Sequence, residues 1–273
     1  MRNYTITELL GSGTFGSVFK GVHKFKPREI VAIKREPLNI QFPMLRQEAK
    51  IYQYLTNTLG IPTFYWFGID NEYYYLVTEL LGISLNKYIS ILNKINLNYI
   101  INIIGTRIIN IIENVHNHSL VHRDLKPDNF LFEYTRETNN SNISNINPSK
   151  LFIIDFGFSA LYMDNTKHIQ CTKTNGLIGS LNYASINAHK RITISRRDDL
   201  ESIGYILLFL TNNILPWHNL SNETEIMNEK NKWVQWIVSQ RKISIIGQYF
   251  YIVRNLLYSE TPNYNKLKAL FHN

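Results

Sequence analysis

The nine residues HRDLKPDNF, His122 to Phe130, crowd two aspartates, an arginine, a lysine and an asparagine around one proline, in a chain only 18% charged. Residues of these types at this spacing suit the handling of phosphate. Asp124 can accept or orient a hydroxyl proton, Lys126 can neutralise a phosphoryl group in transit, and Asn129, five positions beyond Asp124, can hold a Mg²⁺ ion. Asp155, thirty-one positions after Asp124, opens an Asp-Phe-Gly triplet and offers the metal a carboxylate. Charge builds on phosphate oxygens during transfer, so cations and metal ligands aimed at them lower the barrier.

Phosphates also need a cradle. The stretch GSGTFGSV runs Gly11, Ser12, Gly13, Thr14, Phe15, Gly16, Ser17, Val18, and its three glycines let the backbone turn close against phosphate oxygens. Because Val18, Phe19 and Lys20 continue as strand, the pattern predicts a flap between two antiparallel strands rather than the start of a helix. Lys34 ends the strand IVAIK and can pair with nucleotide phosphates, while Glu48, fourteen positions on, can anchor it from a helix. An exposed Lys–Glu pair contributes only about 0–1 kcal/mol and signifies nothing alone. It is the whole set, in this order, that points to nucleotide-dependent phosphoryl transfer.

The elements that must position these groups follow from apolar periodicity. The first eighty residues read mostly as strands, among them ELLGSGTFGSVFKGV, IVAIK and YYYLVTELL, with one helix whose Leu45, Ala49, Tyr52 and Leu55 recur at helical spacing. After Gly82 the character changes. From Leu97 onward Ile100, Ile101, Ile104, Ile108, Ile111, Ile112 and Val115 share one helical face, and Asn102, Arg107 and Asn110 interrupt the helix too often for a bilayer. ESIGYILLFL reads as a helix apolar all round. The expected fold class is α+β and bilobal, in one domain over 1–273. An antiparallel sheet plus one helix occupies 1–81, and a mainly helical lobe occupies 82–273. A flexible polar loop is expected at about 134–150, where ETNNSNISNINPS cannot bury enough apolar surface to order itself.

The net charge of +8 favours acidic peptides, nucleotides or nucleic acid as partners. Its basic residues are dispersed, with no aromatic-interleaved basic motif, so nucleic acid is set aside as main ligand. A single cysteine, Cys171, excludes an internal disulfide and fits a reducing compartment. The amino terminus lacks a signal-peptide core, and the longest apolar run, Ile203 to Leu210, falls far short of the ~20 residues of a membrane span. A soluble intracellular protein is expected, with cytosol and nucleus both open. His116, His118 and His122 are expected to be solvated at a helix end rather than to bind a metal.

These residues resemble the eukaryotic protein kinases from Tyr4 to Phe271. EIVAIKREP, QEAKIYQYL, LGIPTF, TELLGISL, HRDLKPDNFL, YASINAH, SRRDDLESIGYILL and LPWHNL look like the casein kinase 1 family in particular. YASINAH, Tyr183 to His189, is the most telling, because that family carries Ser-Ile-Asn where other protein kinases carry Ala-Pro-Glu. The resemblance implies a hinge at about Glu79 to Gly82 and a monomer that uses ATP and Mg²⁺ to phosphorylate Ser or Thr on proteins. It also implies that Leu10, Val18, Ala32 and Leu81 sandwich the adenine, that Thr78 sits behind it, and that Asp199 steadies the catalytic loop. Lys126 resembles the Ser/Thr loop pattern rather than the tyrosine one.

Departures from the family carry expectations too. Asn182 stands where relatives have arginine, and Glu225, Ile226, Met227 and Asn228 stand where they have a basic cluster. A weak preference for phosphate-primed substrates is therefore expected, with Lys173, Arg196 and Arg197 the remaining cations that could reverse it. The sequence ends without the long regulatory tail of many relatives, and Arg123 in this family awaits no activation-loop phosphate, so constitutive activity is expected. Thr172, Thr174 and Ser180 are candidate autophosphorylation sites, with unmodified loop residues the favoured reading. A catalytically idle kinase-fold scaffold is the alternative, and it is disfavoured because no Lys, Asp or Asn of the set is missing.

Overall fold

Strand alternation sends every second side chain to one side, and the first lobe is built on that rule. The computed structural model describes residues 3–13, 16–92, 97–135 and 146–272. β1 (Tyr4–Gly13), β2 (Gly16–His23) and β3 (Lys26–Pro37) precede α1 (Leu45–Tyr54), and β4 (Phe64–Ile69) and β5 (Tyr73–Glu79) follow it. They form an antiparallel sheet in the order β1-β2-β3-β5-β4. Register sets Val18 opposite Lys34, Lys20 opposite Ala32, Ala32 opposite Thr78 and Lys34 opposite Leu76. These six side chains therefore share one face. Val31, Ile33 and Val77 occupy the other, in a small core with Tyr4 and Tyr75.

α1 shows the periodicity its sequence predicts, with Leu45, Ala49, Tyr52 and Leu55 all buried. Its N-terminus has no capping side chain of its own. Instead the buried carboxylate of Glu36, on β3, accepts from the amides of Met44 at 3.0 Å and Leu45 at 3.1 Å. That satisfies two of the free N–H groups at the helix start and sets a negative charge against the positive end of its dipole. Helix and sheet are thereby tied at the point from which Glu48 is aimed.

Only Leu80 separates β5 from β6 (Leu81–Ser84), which leaves the first sheet for a second one. α2 (Leu85–Ile91) follows, capped by Ser84, whose hydroxyl accepts from the Lys87 amide at 3.2 Å. α3 (Leu97–Asn117) buries Ile101, Ile104, Ile108, Ile111, Ile112 and Val115, with Ile100 partly covered at the edge. After β7 (Leu120–Val121), β8 (Phe130–Glu133) and β9 (Leu151–Ile153) complete the order β6-β8-β9, and β10 (Ala160–Leu161) pairs back onto β7. α4 (Ile186–His189), α5 (Arg196–Asn212), α6 (Glu223–Ser239), α7 (Ile245–Arg254) and α8 (Tyr264–Ala269) make the helical remainder. α5 is covered on all sides from Leu200 to Leu208, as its unbroken apolar run requires. Among the described residues no helix is long and apolar enough to cross a membrane.

One expectation needs correction. His116 and His122 are not solvated: both are buried, at 1% and 0% exposure. Packing of α3 against α5 and α8 takes His116 out of water, whereas the His122 ring lies against Phe156 and the Ile154 carbonyl, and each ring finds polar partners where it is buried. At the end of the polar stretch Ile146 is buried and the Lys150 amide closes a turn on the Asn147 carbonyl. Residues 136–145 of that stretch lie outside the described residues.

Candidate active site

A cleft of about 1080 Å³ lies between the shared face of the first sheet and the loops of the helical lobe. Leu10, Gly11, Ser12, Gly13, Gly16, Val18, Ala32, Lys34, Glu48, Thr78, Glu79 and Leu81 line it, together with Asp124, Lys126, Asn129 and Asp155. Ser17 does not line it. Along β2, Gly16, Val18 and Lys20 reach the cleft and Ser17 and Phe19 between them do not, the alternation that a glycine-rich motif conceals. Thr14 and Phe15 lie outside the described residues. Gly16 holds φ at 130°, and a side chain there would collide with the Arg35 carbonyl. Leu131 and Ile154 form apolar lining that the sequence reading missed. Leu131 had a readable signal, since Phe130 and Phe132 on either side are buried and alternation turns it the other way.

Lys34 is held from two directions. Its Nζ donates to Glu48 at 2.7 Å and to Asp155 at 2.9 Å. Burial alone would lower its pKa, but the carboxylates of Glu48 and Asp155 outweigh that and hold it above the ordinary lysine value. Asp155 responds in kind: burial works to raise its pKa, and the nearby Lys34 charge brings it below the usual carboxylate range. The residue sits in the left-handed region at φ 68°. Its amide donates to the Tyr52 hydroxyl of α1 at 3.3 Å, and the Tyr52 ring meets Phe156 edge-on at 5.2 Å. A conformation costing about 1–3 kcal/mol is thus held by the helix that also carries Glu48.

The loop bearing Asp124 hangs on Asp199, at the start of α5. The Asp199 carboxylate accepts from the amides of His122 at 2.7 Å and Arg123 at 2.9 Å, and from Nε2 of His116 at 3.0 Å. Nδ1 of His116 is bonded to the Tyr264 hydroxyl at 2.6 Å. These bonds hold Arg123 at φ 71°, another left-handed residue. His122 is fully buried, which lowers its pKa and keeps the ring neutral; Nε2 donates to the Ile154 carbonyl at 3.1 Å and Nδ1 accepts from the Asp124 amide at 3.3 Å. The Arg123 guanidinium donates through Nε to the Phe158 carbonyl.

Asp124 Oδ2 accepts from Lys126 Nζ at 2.8 Å, and Oδ1 accepts from both the amide and the hydroxyl of Ser180 at 2.6 Å. Lys126 also donates to the Ser180 hydroxyl at 3.1 Å. A carboxylate and an ammonium thus grip one alcohol oxygen between them. Asn129 donates through Nδ2 to the Asp124 carbonyl at 2.9 Å, so its amide oxygen is the atom left to ligate a metal. That oxygen and the Asp155 carboxylate are the hard donors that Mg²⁺ prefers, and Mg²⁺ completes its shell with water and phosphate oxygens. Gly179, at φ 94°, passes so close to the Arg123 carbonyl that any side chain would collide with it.

Two contributors escaped the sequence reading. Ser180, taken for a loop residue, touches both polar groups at the centre. Asp198, buried beside Asp199, accepts from the Ser185 hydroxyl at 2.7 Å and from Asn187 Nδ2 at 3.0 Å. The Ser-Ile-Asn triplet is thereby locked to the start of α5, and the paired aspartates of SRRDDLES were the available signal. A family model described as protein kinase domain matches residues 4–258.

Proposed function

The chain belongs to the protein kinase domain family, and from that premise we propose that it is a Ser/Thr protein kinase of casein kinase 1 type. The observation that carries this reading is the convergence of Lys34, Glu48 and Asp155 with Asp124, Lys126 and Asn129 in one cleft. Asp124 orients the acceptor hydroxyl and draws off its proton, Lys126 offsets charge on the transferred group, and Lys34 offsets charge on the inner phosphates. Asn129 and Asp155 would hold Mg²⁺, which when bound offsets phosphate charge as a Lewis acid. The Ser180 hydroxyl between Asp124 and Lys126 supports an aliphatic alcohol as acceptor. Net charge of +8 supports acidic protein substrates.

The casein kinase 1 reading is supported by Ser185 and Asn187 sharing Asp198. Constitutive activity is supported by the Lys34–Glu48 pair and by Arg123, whose guanidinium is engaged by a carbonyl; the reading takes the chain as a monomer inside the cell. A weak demand for primed substrates is supported by Asn182 and Glu225 standing where relatives are basic, and by the remaining cations each donating to groups of the chain itself. Arg196 donates to Tyr162 and Ser259, Arg197 to the Leu256 carbonyl and Lys173 to the Lys190 carbonyl.

The test is transfer of labelled phosphate from Mg-ATP to casein by the wild type and by Asp124→Asn. The expected result is a kcat lower by about 10³-fold, or about 4 kcal/mol, with nucleotide affinity retained. Unchanged transfer would remove Asp124 from its role. A wild type that binds ATP yet labels no protein would leave the idle scaffold standing.

A further inference from the structure

Lys230 lies on α6, outside the cleft, and is wholly buried. An ammonium has three N–H groups, and this one meets three acceptors: the Leu181 carbonyl at 2.8 Å, the Ala184 carbonyl at 2.7 Å and Nε2 of His189 at 3.0 Å. His189 turns its other nitrogen to Glu223 at 3.2 Å, so a neutral ring donates there and accepts from Lys230. Glu223 is in turn held by Arg191 at 2.6 and 2.7 Å. Above the ammonium stand the rings of Tyr205 at 4.8 Å and Trp217 at 5.7 Å. Trp217, itself buried, donates through Nε1 to the Asn182 carbonyl at 3.0 Å.

Three carbonyls in four residues, Leu181, Asn182 and Ala184, are thus fastened from behind by two side chains of the helical lobe. Immediately before them stands Ser180, whose amide and hydroxyl bond Asp124. The amides of Tyr183 and Ala184 close back on the Ser180 carbonyl at 2.9 and 2.8 Å. Displacement of the fastened carbonyls would therefore pass directly into the contact with Asp124. A buried cation is costly unless its donors are satisfied, and nothing about a helix-packing role requires a lysine here, since a methionine would fill the same space.

Resting on the kinase reading, we propose that Lys230 is a positioning residue for the acceptor site: with Trp217 it clamps the backbone of 181–184 so that Ser180 is presented to Asp124 and Lys126. The clamp acts on the protein acceptor and leaves the nucleotide side of the cleft alone. It also survives loss of the lysine proton, because an amine keeps two N–H groups for the two carbonyls.

The experiment is a double-mutant cycle of Lys230→Met with Ser180→Ala, read by casein phosphorylation, by binding of a fluorescent ATP analogue and by amide exchange at Ser180, Tyr183 and Ala184. Lys230→Met is expected to lower acceptor kcat/KM about tenfold or more, to leave nucleotide affinity within about twofold, and to speed exchange at those amides but not in α3. In the Ser180→Ala background, where the amide contact with Asp124 remains and the hydroxyl contact is gone, the same change is expected to cost less than it does in the wild type. Independent, multiplying losses would overturn the proposal, as would unchanged kcat/KM, or exchange that rises equally in α3. Should Lys230→Met not fold, Trp217→Phe removes the indole N–H together with part of a buried ring, and is read by the same cycle and the same outcomes, with exchange in α3 reporting any general loosening. A wild type that transfers no phosphate would sink the kinase reading alone, since local exchange at 180–184 still decides the clamp.

Discussion

Asp199→Asn keeps the shape of a wholly buried side chain and removes its charge. The carboxylate accepts bonds of 2.7, 2.9 and 3.0 Å from three donors, the His122 and Arg123 amides and His116. An asparagine offers one accepting oxygen and points two hydrogens at groups that themselves donate. If the amide nitrogen faces Arg123 one bond is lost, and if it faces His122 and His116 two are lost. Hydrogen bonds to a charged group contribute about 1.5–3 kcal/mol each, and a buried donor left without a partner costs about 1–3 kcal/mol. A loss of about 3–5 kcal/mol is expected. Arg123 gains about 1–3 kcal/mol by leaving the left-handed region once its amide is released, so the loop relaxes and carries Asp124 away from Lys126. Misplacement by about 1 Å costs about 10²-fold in rate. Urea denaturation and steady-state kcat on casein measure the two effects. Destabilisation below about 1 kcal/mol together with kcat within twofold of wild type would show that Asp199 does not hold this loop.

Two further outcomes are expected. Peptide arrays bearing phosphoserine three residues before the target should show less than about threefold gain over the unphosphorylated peptides, because Asn182 and Glu225 offer a dianion nothing to pair with; a gain of tenfold or more would contradict this. Stability should rise with pH above about 7. Burial brings the Lys230 pKa from 10.5 to about 7 against the opposing charges of Glu201 and Glu223, so between these values the unfolded chain binds a proton that the folded one has shed. Folding then gains at most about 1.4 kcal/mol per pH unit from this group. His189, Glu223, Glu201 and Tyr205 surround the same ammonium and are common to both proteins, so the comparison is with Lys230→Met, which should lack the rise in calorimetry. Parallel curves for the two proteins would refute it.

What could be read in the linear chain was whatever neighbours along it dictate. The spacing of Asp124, Lys126 and Asn129, the strand after Gly16 and the helical recurrence of Leu45, Ala49, Tyr52 and Leu55 all arise within a few turns or pleats, where backbone geometry ties position to direction. Lys34 and Glu48 were legible as a pair because they lie on consecutive elements, β3 and α1. Packing alone decided the rest. It was burial of α3 against α5 and α8 that took His116 out of water, the approach of Phe156 and Ile154 that enclosed His122, and register that turned Ser17 from the cleft while its neighbours faced it. Asp199 reaches the loop at His122 across seventy-seven positions, and Lys230 reaches the Leu181 carbonyl across forty-nine. Such partners meet because apolar faces bury one another and bring unmatched donors and acceptors into a space without water. Each of those polar groups must then find a counterpart, and which one it finds depends on where the helices come to rest.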